Sequence, residues 1–162
     1  MYKRQVNGRS LLTHSGKYQA RIAADRILGE QATARGDGSG APRVIFTDPQ
    51  IAGAGLTLAG AREAGIPAAA IDLPTSGTAG ASFYGRGAPG TTRFVVDTER
   101  DVLVGATFVG AETAELLHAA TVAIVGAVPL RTLAHATASF PTRGELWPVS
   151  YTHLTLPTIL LV

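Results

Sequence analysis

Two apolar runs joined by a short polar turn do most to limit what this chain can fold into. Residues 93–96 (Arg-Phe-Val-Val) and 102–108 (Val-Leu-Val-Gly-Ala-Thr-Phe) are rich in β-branched and aromatic side chains, and Asp97-Thr98-Glu99-Arg100-Asp101 lies between them. This composition at this separation predicts a hairpin, and a hairpin implies an antiparallel sheet.

The remaining segments supply more strands and a set of helices. Arg43-Val44-Ile45-Phe46-Thr47 predicts a strand closed by Asp48-Pro49, and residues 68–73 predict a second. Residues 74–90 are rich in Gly, Ser and Thr and read as a long loop. Tyr18, Ile22, Ala23 and Ile27 recur at helical spacing, with Lys17, Arg21, Asp25 and Arg26 between them, which predicts a helix over 13–28 stopped by Gly29. Thr57 suits the N-cap of a short helix through Ala64, with Gly65 in the C′ place. A helix over 112–125 is expected to bury Leu116, Leu117, Ala120 and Ile124 and to end at Gly126. Pro129 is expected at N1 of another, through Ala134, and Pro141-Thr142 begins a last one that stops near Trp147. Strands followed by grouped helices predict an α+β domain, an antiparallel sheet with helices packed on it. The Gly-rich stretch 34–42 marks the internal boundary as a flexible linker, placed at 37–42.

Composition closes off several function classes. With 46% hydrophobic and 16% charged residues over 162 positions, the chain has enough apolar material for one ordinary core. No apolar run reaches the roughly 18 residues needed to span a bilayer, and the start lacks the apolar core of a secretory signal. Without cysteine there is no disulfide framework, thiolate metal site or cysteine nucleophile. A reducing, cytoplasmic setting is therefore expected. The net charge of +2 comes from Lys3 and Arg4; without them basic and acidic residues balance at 12 each. No basic cluster forms a nucleic-acid footprint, and three histidines outside the ends, without a spaced carboxylate pair, make no metal site.

The ends look foreign to the domain. Met1-Tyr2-Lys3-Arg4-Gln5 and the stretch from Val149 onward, which begins Val-Ser-Tyr-Thr-His-Leu-Thr-Leu-Pro-Thr, resemble translated sequencing-library adapter read in each direction. Residues 1–5 and 149–162 are accordingly set apart from the fold. The alternative is a genuine polar arm and apolar tail.

Ser139-Phe140-Pro141-Thr142-Arg143-Gly144-Glu145 has the frame His-Pro-Thr-x-x-Glu, with Phe140 in the histidine's place. On this segment the chain resembles the flavin-dependent pyridine nucleotide–disulfide oxidoreductases, the family of dihydrolipoamide dehydrogenase, glutathione reductase and mercuric reductase. Other segments agree in order. Val6-Asn7-Gly8-Arg9 with Leu11-Leu12-Thr13-His14 resembles the stretch after the family's second flavin-binding motif. Residues 43–52 with Gly55-Leu56-Thr57 resemble the opening of its interface domain, and 103–110 with Ala114-Glu115-Leu116-Leu117 resemble that domain's central strand and helix.

The resemblance implies residues 6–36 as the end of an otherwise missing FAD domain, with one helix, and 43–148 as the dimerisation domain. It further implies a homodimer and an enzyme that passes hydride from NAD(P)H to FAD, then electrons to a disulfide. A histidine from the partner subunit shuttles the proton. The upstream Gly-x-Gly-x-x-Gly turn, the redox cysteine pair and the nicotinamide domain do not occur here, so the chain reads as the C-terminal third of such an enzyme. By itself it is expected to be inactive and to bind no cofactor.

Each candidate site residue carries two readings. The resemblance makes Glu145 the carboxylate that orients the catalytic ring. Its spacing from Thr142 also fits a capping box. Phe140 cannot transfer protons, so either another acid serves the parent enzyme or the step is not used. Thr13 and His14 match the place where helix N-terminal amides approach the flavin pyrimidine, while an ordinary N-cap at Thr13 explains the same residues. His118 is expected as a helix-surface partner of Glu115, and His135 as a helix-end or surface histidine. The apolar helix around Leu116 and Leu117 and the segment with Phe140 and Trp147 are the expected dimer contacts. Competing with the enzyme part are a stand-alone dimerising module without redox activity and a small-molecule regulatory domain, which needs a pocket with convergent polar groups.

Overall fold

The structure, a computed structural model, describes Gly8, residues 11–84 and residues 90–147. The adapter-like ends, Val6, Asn7, Arg9 and residues 85–89 of the long loop lie outside the described residues. The chain divides into two compact units, Met1–Ala41 and Pro42–Val162.

The first unit carries one described α-helix, α1 (Thr13–Ile27). Leu12, with extended backbone, is its N-cap and accepts from Gly16 N at 3.0 Å. Thr13 is thus the first helical residue rather than the cap, because the backbone has already turned helical there. The apolar residues at helical spacing are half covered at Tyr18 and Ile22 and exposed at Ala23 and Ile27, since no second layer of this unit lies over them among the described residues. The stretch read as a flexible linker is tied back at its start. Gly36 N donates to the Tyr18 hydroxyl (3.1 Å), Gln19 Nε2 donates to Asp37 Oδ1 (3.0 Å), and Gly38–Gly40 closes a 3-10 turn.

The second unit is built on a five-stranded antiparallel sheet of order β1-β2-β5-β4-β3. Its strands are β1 (Arg43–Ile45), β2 (Gln50–Gly55), β3 (Ala68–Pro74), β4 (Thr91–Asp97) and β5 (Val102–Gly110). The β4–β5 hairpin forms where the sequence predicts it. Asp97 Oδ1 accepts from Glu99 N and Arg100 N at 3.1 and 3.0 Å, so the side chain closes the turn that its own backbone opens.

The sequence reading did not include β2, Gln-Ile-Ala-Gly-Ala-Gly. Its glycines and alanines have low strand propensity, and pairing with β5 along its whole length makes the strand. The small residues serve close approach. A Cβ at Gly105 would lie 1.9 Å from the Leu56 carbonyl oxygen, and one at Gly55, where φ is +79°, 2.2 Å from the Val104 oxygen. Leu56 N donates to that same Val104 oxygen at 2.8 Å.

Register builds the core. Val44, Ala52, Phe108, Thr92 and Leu73 align across the sheet on one face, and Ala54, Ala106, Phe94 and Ile71 form the next row. Phe108 and Ala52 are fully buried. Onto these rows α3 (Leu117–Val125) lays Leu117, Ala120 and Ala123, and the two small alanines let the helix sit close. Phe94 and Phe108 meet edge to face at 5.8 Å, and Trp147 packs against them at 4.9 and 6.4 Å, tilted to Phe94 and edge-on to Phe108. Leu117, expected on a contact surface, therefore belongs to the core; Leu116, Ile124 and Trp147 are half-buried and pack at its edge.

The helix expected over 112–125 is broken. A 3-10 turn (Thr113–Leu116) precedes α3, and Glu112 before it has φ +48°. Buried Thr113 donates to Gln50 O and Gly110 O, and Gln50 Oε1 accepts from Ala114 N, which ties the first turn to the sheet. The short helix α2 (Leu58–Glu63) follows its expected cap, with Thr57 Oγ1 accepting from Gly60 N at 3.0 Å. Pro129 is the N-cap of α4 (Leu130–Leu133), not N1, because its ψ of 140° is still extended.

Candidate functional site

Residues 139–145 leave α4 and return beside the start of the 3-10 turn at Thr113–Leu116. Thr142, with extended backbone, opens a one-turn 3-10 helix (Arg143–Glu145). The capping box does not form. The Thr142 hydroxyl points back and donates to Ser139 O at 2.6 Å, and a single 3-10 turn brings Glu145 N only to 3.5 Å from Thr142 O. The Glu145 carboxylate is thereby left without its capping role. The residue is half-buried, and its Oε2 is buried with no hydrogen-bond partner. A carboxylate oxygen held out of water without a donor is costly, so such atoms mark places where a partner is expected.

Phe140 is 78% exposed. The segment that presents it is held from the other end by Arg143, whose Nη1 donates to Ala111 O. A cleft of about 340 Å³ lies against the segment. Phe83, Leu116 and Pro141 supply its apolar wall and Glu112, Glu115 and Arg143 its charged one. Sequence reading missed Phe83, Glu112 and Gly80 here. They arrive on a long loop and a left-handed residue whose positions depend on tertiary folding, and no local pattern announces them.

Thr13 and His14 lie in the other unit, exposed in the first turn of α1, which has no side-chain cap. His118 and His135 are exposed, and no ion pair joins Glu115 to His118 among the described residues. An exposed pair of this kind gains only a few tenths of a kcal/mol, too little to hold both side chains. No group of metal-ligating side chains occurs among the described residues, and none of their helices is long and apolar enough to cross a membrane.

Asp72 and Arg93 face each other on β3 and β4, opposite the helix-backed rows. The guanidinium grips the carboxylate with two bonds of 2.6 Å. Those bonds hold the Asp72 carboxyl below its ordinary value of 3.8 and raise the Arg93 guanidinium. Both side chains are about half exposed, so the pair is a surface clamp rather than a reactive centre.

Comparison with known proteins agrees with this architecture. Residues 41–150 match the family model described as the pyridine nucleotide-disulphide oxidoreductase dimerisation domain. Dihydrolipoyl dehydrogenase of Mycobacterium tuberculosis is 34% identical over 141 residues, which is 86% of this chain and 30% of that protein. The Bacillus subtilis protein of the same name is 30% identical over 135 residues, 83% of this chain and 28% of that one. The chain thus spans under a third of the length of these curated relatives. Among solved structures, LpdA from Mycobacterium tuberculosis superposes with a TM-score of 0.77 at 22% identity, over 88% of this chain and 31% of that one. The HOCl-induced flavoprotein disulfide reductase RclA from Escherichia coli superposes with 0.68 at 21% identity, over 82% and 30%. With the antiparallel sheet, its helix-backed core and the match over residues 41–150 together, the chain belongs to the pyridine nucleotide-disulphide oxidoreductase dimerisation-domain family.

Proposed function

We propose that this chain is the dimerisation domain of an FAD-dependent NAD(P)H oxidoreductase, with Phe140 in the place of the proton-shuttling histidine and Glu145 as the carboxylate that would orient it. One observation carries this reading: Glu145 is released from helix capping and keeps a buried oxygen without a donor. A ring nitrogen at position 140 is the kind of donor such an oxygen calls for, and the phenyl ring cannot supply it. In the same reading residues 6–36 belong to an FAD domain, and two copies of the chain associate.

The start of α1 fits a flavin. Its first-turn amides carry the positive end of the helix and no side chain caps them, so the backbone at Thr13 and His14 would favour a partly negative pyrimidine edge. FAD would supply hydride acceptance and two-electron chemistry. NAD(P) would be held by parts of the enzyme outside these 162 residues. The relatives' names support this assignment: dihydrolipoyl dehydrogenases in sequence, and a flavoprotein disulfide reductase in structure.

The test is made on the purified chain. It is expected to oxidise no NADH or NADPH, to retain no stoichiometric flavin, and to sediment as a dimer at micromolar concentration. Tight flavin in the purified chain would show that the FAD site is more complete than proposed. A monomer at all concentrations would sink the dimer assignment. Phe140→His alone is expected to restore no disulfide reductase activity, because the chain has no cysteine.

A further inference from the structure

The connection between β3 and β4 bears no residue that the sequence singles out, yet its backbone comes close against residues 142–143. It runs through two 3-10 turns, Thr75–Gly77 and Ala79–Tyr84, the second closed by Ser82 Oγ donating to Ala79 O at 2.7 Å. At Gly80 the two stretches of backbone touch. A Cβ there would stand 2.4 Å from the Thr142 carbonyl carbon, 2.5 Å from Thr142 Cα and 2.7 Å from Arg143 N. All three are backbone atoms, so no rotamer change makes room. The requirement is for space at one point, between a loop and the segment that presents Phe140 and Glu145.

We infer that Gly80 is a positioning residue: its missing side chain sets where residues 140–145 lie, and so sets the relation between position 140 and the Glu145 carboxylate. The inference rests on the reading of position 140 as the histidine's place and of Glu145 as the carboxylate that would orient a ring there. The loop comes from the far edge of the sheet, and Arg143 ties the same segment to Ala111 at the end of β5. Thr142 and Arg143, which follow position 140, are therefore held by contacts from two separate parts of the sheet.

The test uses amide proton–nitrogen NMR spectra of the full chain, wild type against Gly80→Ala. Gly53→Ala is the control, since its Cβ would meet Ala106 O at an ordinary 3.4 Å. Gly80→Ala is expected to shift the amides of 139, 140 and 142–145 (Pro141 has none) while those of β2, β4 and β5 stay in place, and Gly53→Ala is expected to leave 139–145 unmoved. Histidine titration then reads position 140 directly. In Phe140→His the imidazole is expected to titrate above the ordinary value of about 6.5, because a nearby carboxylate favours its charged form. Adding Gly80→Ala is expected to bring the midpoint back toward about 6.5. An ordinary midpoint in Phe140→His overturns that reading of Glu145 but leaves the amide shifts to judge Gly80. Unmoved amides at 139–145 in Gly80→Ala, or a midpoint still raised in the double variant, overturn the role of Gly80. If Gly80→Ala does not fold, Ser82→Ala, which removes only the Ser82–Ala79 bond, is expected to shift the Thr142 and Arg143 amides, and unmoved amides there overturn the inference.

Discussion

The two sides of one sheet are organised on different principles. On the helix-backed side, Val44, Ala52, Phe108, Thr92 and Leu73 form a row that α3 and Trp147 close off from water. One residue along each of β1, β2, β5 and β4, the row Ile45, Ile51, Val109 and Thr91 lies on the opposite side, with Ile45 at 56% and Ile51 at 40% exposure. Beside it Thr107, Arg93 and Asp72 are exposed and polar. The strands are shared, so the contrast comes from the two-residue side-chain period and from which side a helix covers. Helix cover makes a row structural. Without it, the row carries apolar side chains that do little for this unit's own stability.

That difference is open to direct challenge. The largest effect should come from Phe108→Ala, which empties a fully buried site between Phe94 and Trp147 and is expected to cost about 3–5 kcal/mol. Its neighbour Val109→Ala should cost less, about 1 kcal/mol, since that side chain is only partly buried and no helix covers its row. Equal losses in urea titrations of the two variants would break the comparison. Next is Asp97→Ala, at the turn joining the strands that carry both rows. Two backbone amides lose their acceptor, and a loss of about 1–2 kcal/mol is expected. No measurable loss would mean that the strands, not the turn, hold the register.

Ile51→Lys probes the uncovered side by itself. The monomer's stability is expected to change by no more than about 0.5 kcal/mol, and a larger drop at low concentration would show that another part of the chain already covers this row. The smallest effect concerns the Asp72–Arg93 clamp. Asp72 titrates lower in the folded chain than its ordinary 3.8, so the pair's contribution is fully present above that value and is lost as the pH falls through the depressed folded one. Asp72→Asn should remove this part of the acid dependence: its small loss of stability is seen at neutral pH and shrinks as the pH falls through the depressed folded value. An Asp72→Asn variant that loses stability equally at pH 3 and pH 7 would refute the assignment.

How much was legible depended on how local the cause was. The β4–β5 hairpin could be read because β-branched runs and an aspartate-led turn act within a few residues. Thr57 could be read as a cap for the same reason. β2 could not, since its Gly and Ala residues are chosen for the closeness of Leu56 and Val104 rather than for strand propensity. At the candidate site the motif frame pointed to Phe140 and Glu145. The surrounding cleft and the loop at Gly80 were invisible, because residues some sixty positions apart in sequence meet there only after the sheet forms.

The capping box shows the limit most clearly. Thr142-Arg143-Gly144-Glu145 satisfies the spacing rule, but that rule assumes an α-helical turn long enough for Glu145 to reach back. Contacts with Gly80 and Ala111 shape a 3-10 turn instead, and the Thr142 hydroxyl goes to Ser139. The β4–β5 hairpin and its turn, the Thr57 cap and the absence of cysteine in this chain were settled by residue identities, since each depends on neighbours or on composition. Tertiary structure alone decided that Leu117 and Trp147 face inward, that β2 exists, and that Glu145 keeps an unpartnered oxygen. Each of these follows from which distant backbone packs against the residue, and a linear pattern carries no record of that packing.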